Sequence, residues 1–367
     1  LNTTLAEAGI DLAAFGSMWD MTGDRAKFVS TAEKPAVEAE EVDLTGEAKA
    51  EYDMNGESAY ELTLAELDGK EVTKVTLNGH EIEFTQDGTK LTFDSESYRA
   101  LKQHGLVDIK VYTETHNYKL NVLNITKVIT TAEELLNLQG YAPNVKSYSW
   151  TLWSDATTEN GYDGYFVLGA NIDLGEIVVK VTNHTGSNPA RIWYDASEAA
   201  GFNGTFDGRG YTISGGVYSQ GGLFGYLWKN AVVKNVAFVD ATISSRSLSS
   251  IIGVSVWGTL DNVLFHISSN NTTGEIGAIA MNNGSTFKTN NVIVYDDSAL
   301  TTETAGTLSS FVNHPADGVW GTYTNTYVFT NYYVAQAKDE VTCPVDPIAL
   351  NTTLAEAGID LAAFGSM

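Results

Sequence analysis

The sequence is poor in cysteine, in basic residues and in long apolar runs. With one cysteine in 367 residues, no disulfide framework can form within the chain, and no Cys/His cluster offers a zinc site. Basic residues number 21 against 46 acidic ones, a net charge of −25. That charge disfavours nucleic acid and anionic membranes, because both attract basic patches. The sequence contains no run of about 18 apolar residues, the length that a membrane-spanning helix needs. We therefore predict no nucleic-acid partner and no membrane insertion.

The sequence also begins without methionine and without a signal peptide, so we expect a piece of a processed or longer polypeptide. Charged residues make up only 18%, whereas Gly, Thr, Ser, Asn, Tyr and Val are abundant. That composition is typical of strands joined by many turns. The length suggests two to three domains.

The two ends of the chain are identical. Residues 1–18 and 350–367 both read LNTTLAEAGIDLAAFGSM, at an offset of 349 residues (350 minus 1). We interpret this as one 349-residue repeat of a tandem array, followed by the start of the next repeat. A duplicated tag or scar is the alternative. Thr353 and Glu356 form a capping box, which favours a native segment.

The ends of the repeat are predicted to be connectors, at residues 1–35 and 336–367. A short helix is plausible from Leu5 to Phe15. The connector is apolar, which a segment donated to the neighbouring repeat would explain. The residues predicted to make this inter-repeat contact are Leu354, Ile359, Leu361 and Phe364.

Residues 36–125 are predicted to form an immunoglobulin-like β-sandwich. Asn78-Gly79 and Asp87-Gly88 are hairpin signals between alternating strands. Two more alternating strands are predicted at Val107–Tyr112 and Tyr118–Leu123. About seven short strands in this length suit such a module, although no Cys pair fixes the topology.

The pattern changes to a short helix at 131–139. Thr131 and Glu134 form a capping box before a leucine-rich stretch, and Gly140 is predicted to end the helix. A helix here would cover the otherwise open end of a solenoid.

Residues 126–335 are predicted to form a parallel β-helix. Similar strings such as KNVAFVDATI and DNVLFHISSN recur at spacings of 27, 29 and 34 residues, which are too short for strand–helix–strand units. We predict that the asparagines in register hold turns and form a hydrogen-bonded ladder along the stack. These are Asn235, Asn262, Asn291 and Asn325.

This stretch resembles the GLUG-motif right-handed parallel β-helix modules of bacterial cell-surface repeat proteins. GGLFG at Gly221–Gly225 and FDGRGYTI at Phe206–Ile213 carry the resemblance most specifically, whereas the later coils keep only small and apolar residues. The resemblance covers about residues 126–335. It implies the fold, an extracellular location and an adjoining immunoglobulin-like domain, and it implies no catalytic residues.

Two groups of aromatic residues are candidates for ligand contacts. Trp228, Trp257 and Trp320 lie shortly before aligned asparagines and are predicted to stack on neighbouring coils; an exposed row binding sugar rings is the alternative. A second group lies in a Gly- and Asp-containing loop, where display to a ligand is more plausible. Its candidate ligand-binding residues are Trp150, Trp153, Tyr162 and Tyr165.

Several carboxylates are candidates for catalysis or for metal binding. Asp240 and Asp296 each follow an aligned asparagine by five residues, so a parallel stack would place them on one face, two coils and roughly 10 Å apart. That exceeds the usual spacing of about 6.5–9.5 Å for an inverting pair, so we predict no catalytic site. Asp207 is predicted to be structural. Calcium is possible without a motif to support it, and no cofactor is predicted. The carboxylate pairs that could contribute calcium ligands are Asp20 with Asp24, Asp94 with Glu96, and Asp155 with Asp163.

The leading hypothesis is a structural repeat of a long extracellular bacterial filament or surface adhesin, whose partners are neighbouring identical repeats. A glycan-binding adhesin repeat and a β-helix polysaccharide hydrolase or lyase are the alternatives. Repetition favours length and avidity over a single active site. Cys343 lies between repeats, where it either pairs between molecules or stays a buried thiol.

Overall fold

A computed structural model describes most of the chain, and the described residues lie mostly in strands, so the fold is all-β. No described helix is long and apolar enough to cross a membrane. The helix predicted over residues 5–15 lies outside the described residues. Those are 19–20, 27–28, 39–56, 59–143, 145–146, 161–179, 201–219, 221–244, 250–270, 276–298, 308–315, 318–331 and 343–359.

The first part of the chain forms two sheets and a paired ribbon. Its elements are β1 Trp19–Asp20, β2 Lys27–Phe28, β3 Glu40–Asp43, β4 Glu51–Asp53, β5 Tyr60–Thr63, a 3-10 turn at Ala65–Leu67, β6 Val72–Leu77, β7 His80–Glu81, β8 Phe84–Asp87, β9 Lys90–Phe93, α1 Ser95–Ala100, β10 Gly105–Thr113 and β11 His116–Ile125.

Residues 39–125, hereafter the two-sheet region, enclose one hydrophobic core. One sheet has the order β3–β11–β10–β6–β7 with β4 also on β11, and the other has the order β5–β9–β8. Strands β3 and β4 pair with β11 in parallel, and the other pairs are antiparallel. Leu62 and Leu91 of one sheet and Val75, Ile109 and Leu120 of the other are fully buried between them.

The predicted hairpins of this region are confirmed. Strands β6 and β7 pair around Asn78 and Gly79, whose φ angles of 46° and 85° are the left-handed values that this turn requires. Strands β8 and β9 pair around Gly88, and β10 pairs with β11 along its length. Alternating apolar residues and local turn chemistry are sufficient to produce these pairs.

The second part contains two short helices and many short strands. Its elements are β12 Lys127–Ile129, α2 Ala132–Leu136, α3 Leu138–Tyr141, β13 Val145–Lys146, β14 Gly161–Tyr162, β15 Tyr165–Leu168, β16 Ile172–Asp173, β17 Val178–Val179, β18 Gly201–Phe202, β19 Thr205–Asp207, β20 Thr212–Ser214, β21 Val217–Tyr218, β22 Gly225–Leu227, β23 Val232–Ile243, β24 Gly253–Val256, β25 Thr259–Asn270, β26 Ile276–Gly277, β27 Ala280–Asn283, β28 Lys288–Asp296, β29 Leu308–Ser309, β30 Val312–Pro315, β31 Thr322–Thr330 and β32 Pro347–Ile348.

Residues 127–348, hereafter the coil stack, form parallel sheets in which consecutive coils are neighbours. The larger sheet has the order β12–β15–β19–β23–β25–β28–β31–β32, and the second has the order β13–β14–β18–β22–β24–β27–β30. All of these pairs are parallel except β13 with β14. Successive coils therefore add strands to both sheets in chain order, up to β30 in the second sheet and β32 in the larger one.

The core of the coil stack is a column of identical or similar side chains. Phe238 and Phe265 of adjacent coils stack at 5.2 Å between ring centroids, with only 4° between the ring planes. The GGLFG sequence turns the chain between sheets, and Gly222 has a φ of 58° there. A Cβ on Gly222 would lie 2.5 Å from the carbonyl oxygens of Ser250 and Ile251, so only glycine fits.

The two short helices lie against the first coils. The Thr131 hydroxyl accepts the Glu134 N–H, which confirms that half of the capping box, but the Glu134 carboxylate binds the N–H and hydroxyl of Thr130 instead of closing on Thr131. Gly140 was predicted to end the helix and instead lies inside α3. The chain breaks at Asn137, so one helix becomes two.

Candidate functional site

Four asparagines in register bend the strands of the coil stack. Asn235, Asn262, Asn291 and Asn325 all have left-handed φ angles, between 44° and 55°, and each lies inside a long strand. Asparagine tolerates this conformation better than other residues with a side chain. Each strand therefore runs through one sheet corner without a glycine.

The asparagine side chains form hydrogen bonds between coils in two separate groups. Asn235 Nδ2 donates to Asp207 Oδ1, and Asn262 Nδ2 donates to Asn235 Oδ1, both at 3.0 Å. Asn325 Nδ2 donates to Asn291 Oδ1 at 3.0 Å. Between the groups, Asn262 Oδ1 is buried and accepts no hydrogen bond.

Asp207 begins the first group and is structural. Its Oδ1 also accepts the N–H of Arg209, and Lys234 Nζ lies 3.4 Å from its Oδ2. Burial pushes the pKa of Asp207 up, but these hydrogen bonds, the one from Asn235 and the Lys234 charge together hold that pKa below its ordinary value.

A β-bulge at Asp240 separates the two carboxylates that were predicted to share a face. The register between β23 and β25 shifts between Phe238 and Ala241, so that Ala241, not Asp240, pairs with Ile267. Asp240 has a φ of 55° and is exposed, whereas Asp296 pairs with Ile267 and is 1% exposed. The prediction of a shared face is wrong, because one extra residue turns Asp240 to the opposite side.

Asp296 is instead held by hydroxyl groups inside the stack. The Ser298 hydroxyl donates to its Oδ1 at 2.6 Å, and the Ser310 hydroxyl donates to its Oδ2 at 2.7 Å. Burial raises the pKa of Asp296 despite these hydrogen bonds. Asp296 thus belongs to a hydrogen-bond network in the interior of the described coils.

His266 lies between two exposed carboxylates on the outside of the stack. Its Nδ1 is 3.1 Å from Asp240 Oδ1, and its Nε2 is 3.2 Å from Asp297 Oδ1. Each ring nitrogen thus faces one carboxylate oxygen. Across the described residues, no group of three His, Cys, Asp or Glu side chains could hold one.

The C-terminal copy of the duplicated sequence folds as one closed turn. The Thr353 N–H and hydroxyl donate to Glu356 Oε2, and the Glu356 N–H donates to the Thr353 hydroxyl, so the predicted capping box is confirmed. At the other end, Gly358 has a φ of 71°, and the Ile359 N–H donates to the Leu354 carbonyl. This closure is a Schellman motif, and both ends are encoded within seven residues.

This turn packs on the outside of the coil stack. Ile359 forms a hydrophobic cluster with Ile293 and Phe329, which are 7%, 5% and 2% exposed, and Leu354 packs at its edge. Leu361 and Phe364, the other predicted contact residues, lie outside the described residues. The described half of the segment therefore rests on the coil stack of the same chain.

A groove of about 660 Å³ lies beside this turn. The turn contributes Leu354, and the coil stack contributes Leu264, Ile293 and Phe329. His266 and Asp297 form its polar rim. Most of the lining is apolar, so the groove suits an apolar peptide segment better than a charged substrate.

The apolar character of this face is visible in the sequence, although it forms no motif. Side chains at the second and fourth positions after each aligned asparagine point outward, and an outward row on a solvated sheet is normally polar. Here the row is largely apolar and runs across four coils. Its members are Val239, Leu264, Ile293, Tyr295, Tyr327 and Phe329.

Of the four aromatic candidates, the structure describes Tyr162 and Tyr165. Tyr162 is 5% exposed and packs on Phe202, so its ring offers no open face. Tyr165 is half-buried, and its hydroxyl donates to Asp207 Oδ2 at 3.2 Å. Trp150 and Trp153 lie outside the described residues.

The tryptophans near the asparagines also pack inside the stack. Trp228 stacks on Trp257 at 5.6 Å between centroids, as the prediction of stacking on neighbouring coils required. Gly201 makes room for the first, because a Cβ there would overlap the indole ring. Trp228 and Trp320 are both buried, which removes them from contact with a sugar.

The remaining candidates are the carboxylates predicted as calcium ligands and the thiol of Cys343. Asp94 caps α1 through the Ser97 N–H, and Asp24 and Asp155 lie outside the described residues. Cys343 is half-buried against the core, and burial raises the pKa of its thiol to about 11. A thiol with that pKa is largely protonated at neutral pH and reacts slowly.

No family model, no curated protein and no solved structure matches this chain. Function is therefore inferred from the residues and their geometry.

Proposed function

We propose that this chain is a structural repeat of a long extracellular bacterial filament or surface adhesin, built from tandem 349-residue units. The observation that carries the proposal is the contact of the duplicated turn, through Leu354 and Ile359, with Ile293 and Phe329. In a tandem array that turn is the first part of the next unit. Each unit would then be fastened to the next by packing as well as by the covalent chain.

The proposed unit combines an immunoglobulin-like sandwich with a right-handed parallel β-helix. Strands β5–β9–β8 and β11–β10–β6–β7 correspond to the two faces of an immunoglobulin-like module, with β3 and β4 as its first strand. Parallel coils with an aligned asparagine corner and a stacked interior support the β-helix. Both parts serve as spacers, and the proposal assigns neither a catalytic role.

The junction between the two parts supports a spacer with little bending. Leu123 and Ile125 at the end of β11 pack with Val167 of the coil stack. The Arg209 guanidinium lies 2.9 Å from Glu51 Oε2, across the same junction. Apolar contact together with an ion pair restrains the angle between the two parts.

Two measurements test the proposal. The denatured mass of the native polypeptide should be a multiple of about 38 kDa, scaled from 39.6 kDa for 367 residues. Deleting residues 350–367 should lower the thermal midpoint of the remaining unit by about 5 °C, because two apolar contacts are lost.

Ala355→Asp is the matched control, because Ala355 lies on the exposed side of the same turn. It should leave the midpoint within about 1 °C. A native chain of about 40 kDa would contradict the tandem array. A deletion that leaves the thermal midpoint unchanged would contradict the fastening contact.

A further inference from the structure

We propose that the outward face around Ile293 and Phe329 is a receptor site for residues 1–18 of a second copy of this chain. This inference rests on the proposed function and names a partner for the same face. A unit whose own C-terminal turn is missing or displaced would accept the N-terminal segment of another molecule. Chains would then join end to end without a covalent bond.

The occupant is identified by sequence. Leu354, Gly358 and Ile359 correspond to Leu5, Gly9 and Ile10 of the first copy, and all 18 residues are identical. Because the described turn is closed by its own capping box and Schellman motif, its shape is set by residues that both copies possess. A segment with the same local code and the same apolar side chains fits the same face.

The proposed contact joins two different parts of the chain, so it is heterologous. The segment lies at one end of the chain, and its receptor lies on the last coils near the other end, so the interface is head to tail. A head-to-tail contact that does not close into a ring extends indefinitely. The net charge of −25 opposes lateral contact between chains, which favours a single file.

The resident turn controls access to the face. It is attached to the coil stack by a short connection from β32, so its effective concentration at the face is on the order of millimolar. A second molecule at micromolar concentration competes poorly against it. The intact chain should therefore be monomeric, and vacating the face should expose the receptor.

The experiment uses the full chain and sedimentation velocity at about 0.15 M salt, where charges are screened beyond about 8 Å. The variant Leu354→Asp/Ile359→Asp displaces the resident turn and keeps residues 1–18 intact. It should associate in a concentration-dependent manner, whereas the wild-type chain should sediment as a monomer. Added synthetic peptide LNTTLAEAGIDLAAFGSM should reverse this association.

The matched control carries Leu5→Asp and Ile10→Asp in addition. It exposes the same apolar face but lacks the donor, so it should return to a monomer. A peptide with those two substitutions should bind at least tenfold more weakly than the natural peptide. Far-UV circular dichroism verifies folding of every variant.

The outcomes separate this inference from the proposed function. A lower thermal midpoint without association would overturn the receptor for a second chain and leave the fastening contact intact. Association of the fourfold variant would also overturn it, because the face would then bind something other than residues 1–18. No change in either midpoint or mass would overturn both.

Discussion

The two regions of this protein place left-handed backbone in different surroundings. In the two-sheet region, Gly88 has a φ of 59° at a hairpin turn, and a Cβ there would meet open space. In the coil stack, Gly222 has nearly the same φ but lies against the backbone of the next coil. Local sequence is sufficient for the first turn, whereas the second is determined by its neighbour in space.

The largest expected effect comes from the interior of the coil stack. Phe238→Ala should lower the free energy of unfolding by about 3–5 kcal/mol, because it leaves a cavity and removes the stack on Phe265. Leu62→Ala should cost about 2–5 kcal/mol in the two-sheet region. Hydrogen exchange distinguishes the two variants. Phe238→Ala should reduce the protection of amides in adjacent coils, whereas Leu62→Ala should reduce it only within the two-sheet region. Equal spread of both effects would contradict the comparison.

The two left-handed glycines provide a matched pair. Gly222→Ala should cost about 3 kcal/mol or more, because its Cβ meets carbonyl oxygens as well as an unfavourable φ. Gly88→Ala should cost about 1–2 kcal/mol, the price of the backbone conformation alone. Urea unfolding of both variants measures the difference. Similar costs would show that the next coil yields to the added methyl group.

Substitution of an asparagine in the coil stack should lower the free energy of unfolding more than substitution of an asparagine in a hairpin. Asn235→Gly keeps the left-handed backbone and loses hydrogen bonds to Asp207 and Asn262, at about 1–2 kcal/mol; Asn235→Ala should cost about 1 kcal/mol more. Asn78→Gly, in an exposed hairpin, should cost less than 1 kcal/mol. Chemical denaturation checks the order, and a larger cost at Asn78 would reverse the comparison.

Two carboxylates of the coil stack should respond to pH with opposite sign. Burial pushes the pKa of Glu134 up, but Lys127 and Thr130 bring it to about 2, below the ordinary glutamate value of 4.5. Its contribution, about 1–2 kcal/mol, is present above pH 4.5 and is lost as the pH falls toward 2. Glu134→Gln should remove this dependence.

Asp296 behaves in the reverse way. Burial raises its pKa in the folded chain, so the folded state binds the proton more tightly, and stability increases as the pH falls through that raised pKa. Asp296→Asn should therefore gain stability relative to the wild type as the pH rises above it. Thermal midpoints between pH 3 and 8 measure both variants. If the difference in thermal midpoint between Asp296→Asn and the wild type does not change with pH, the predicted direction of the pH dependence is wrong.

Sequence reasoning predicted the features that depend on near neighbours in the chain. The hairpin at Asn78-Gly79 and the capping box of Thr353 with Glu356 both follow from residues within a few positions of each other. The four asparagines were aligned correctly in register, since repetition reports on neighbours in space as well. Their left-handed φ angles agree with the prediction that they hold turns.

Features that depend on an interruption of the repeat could not be predicted. The bulge at Asp240 changes which residue faces the interior, and no local pattern distinguishes it from a regular strand. The asparagine hydrogen bonds also stop after Asn262, although Asn262 and Asn291 keep their register, and no residue pattern marks that break. The apolar outer face at Ile293 can be found in the sequence only by following the outward positions from coil to coil, because it carries no motif.

The parallel pairing of β4 with β11 has a mechanical consequence. The chain enters the two-sheet region through β3 and β4 and leaves it through β11 toward the coil stack. A pull on the two ends would draw these strands past each other, so the hydrogen bonds that join Lys49, Leu123 and Met54 to their partners share the load at once. Opening this region would require their concerted rupture instead of unzipping one bond at a time.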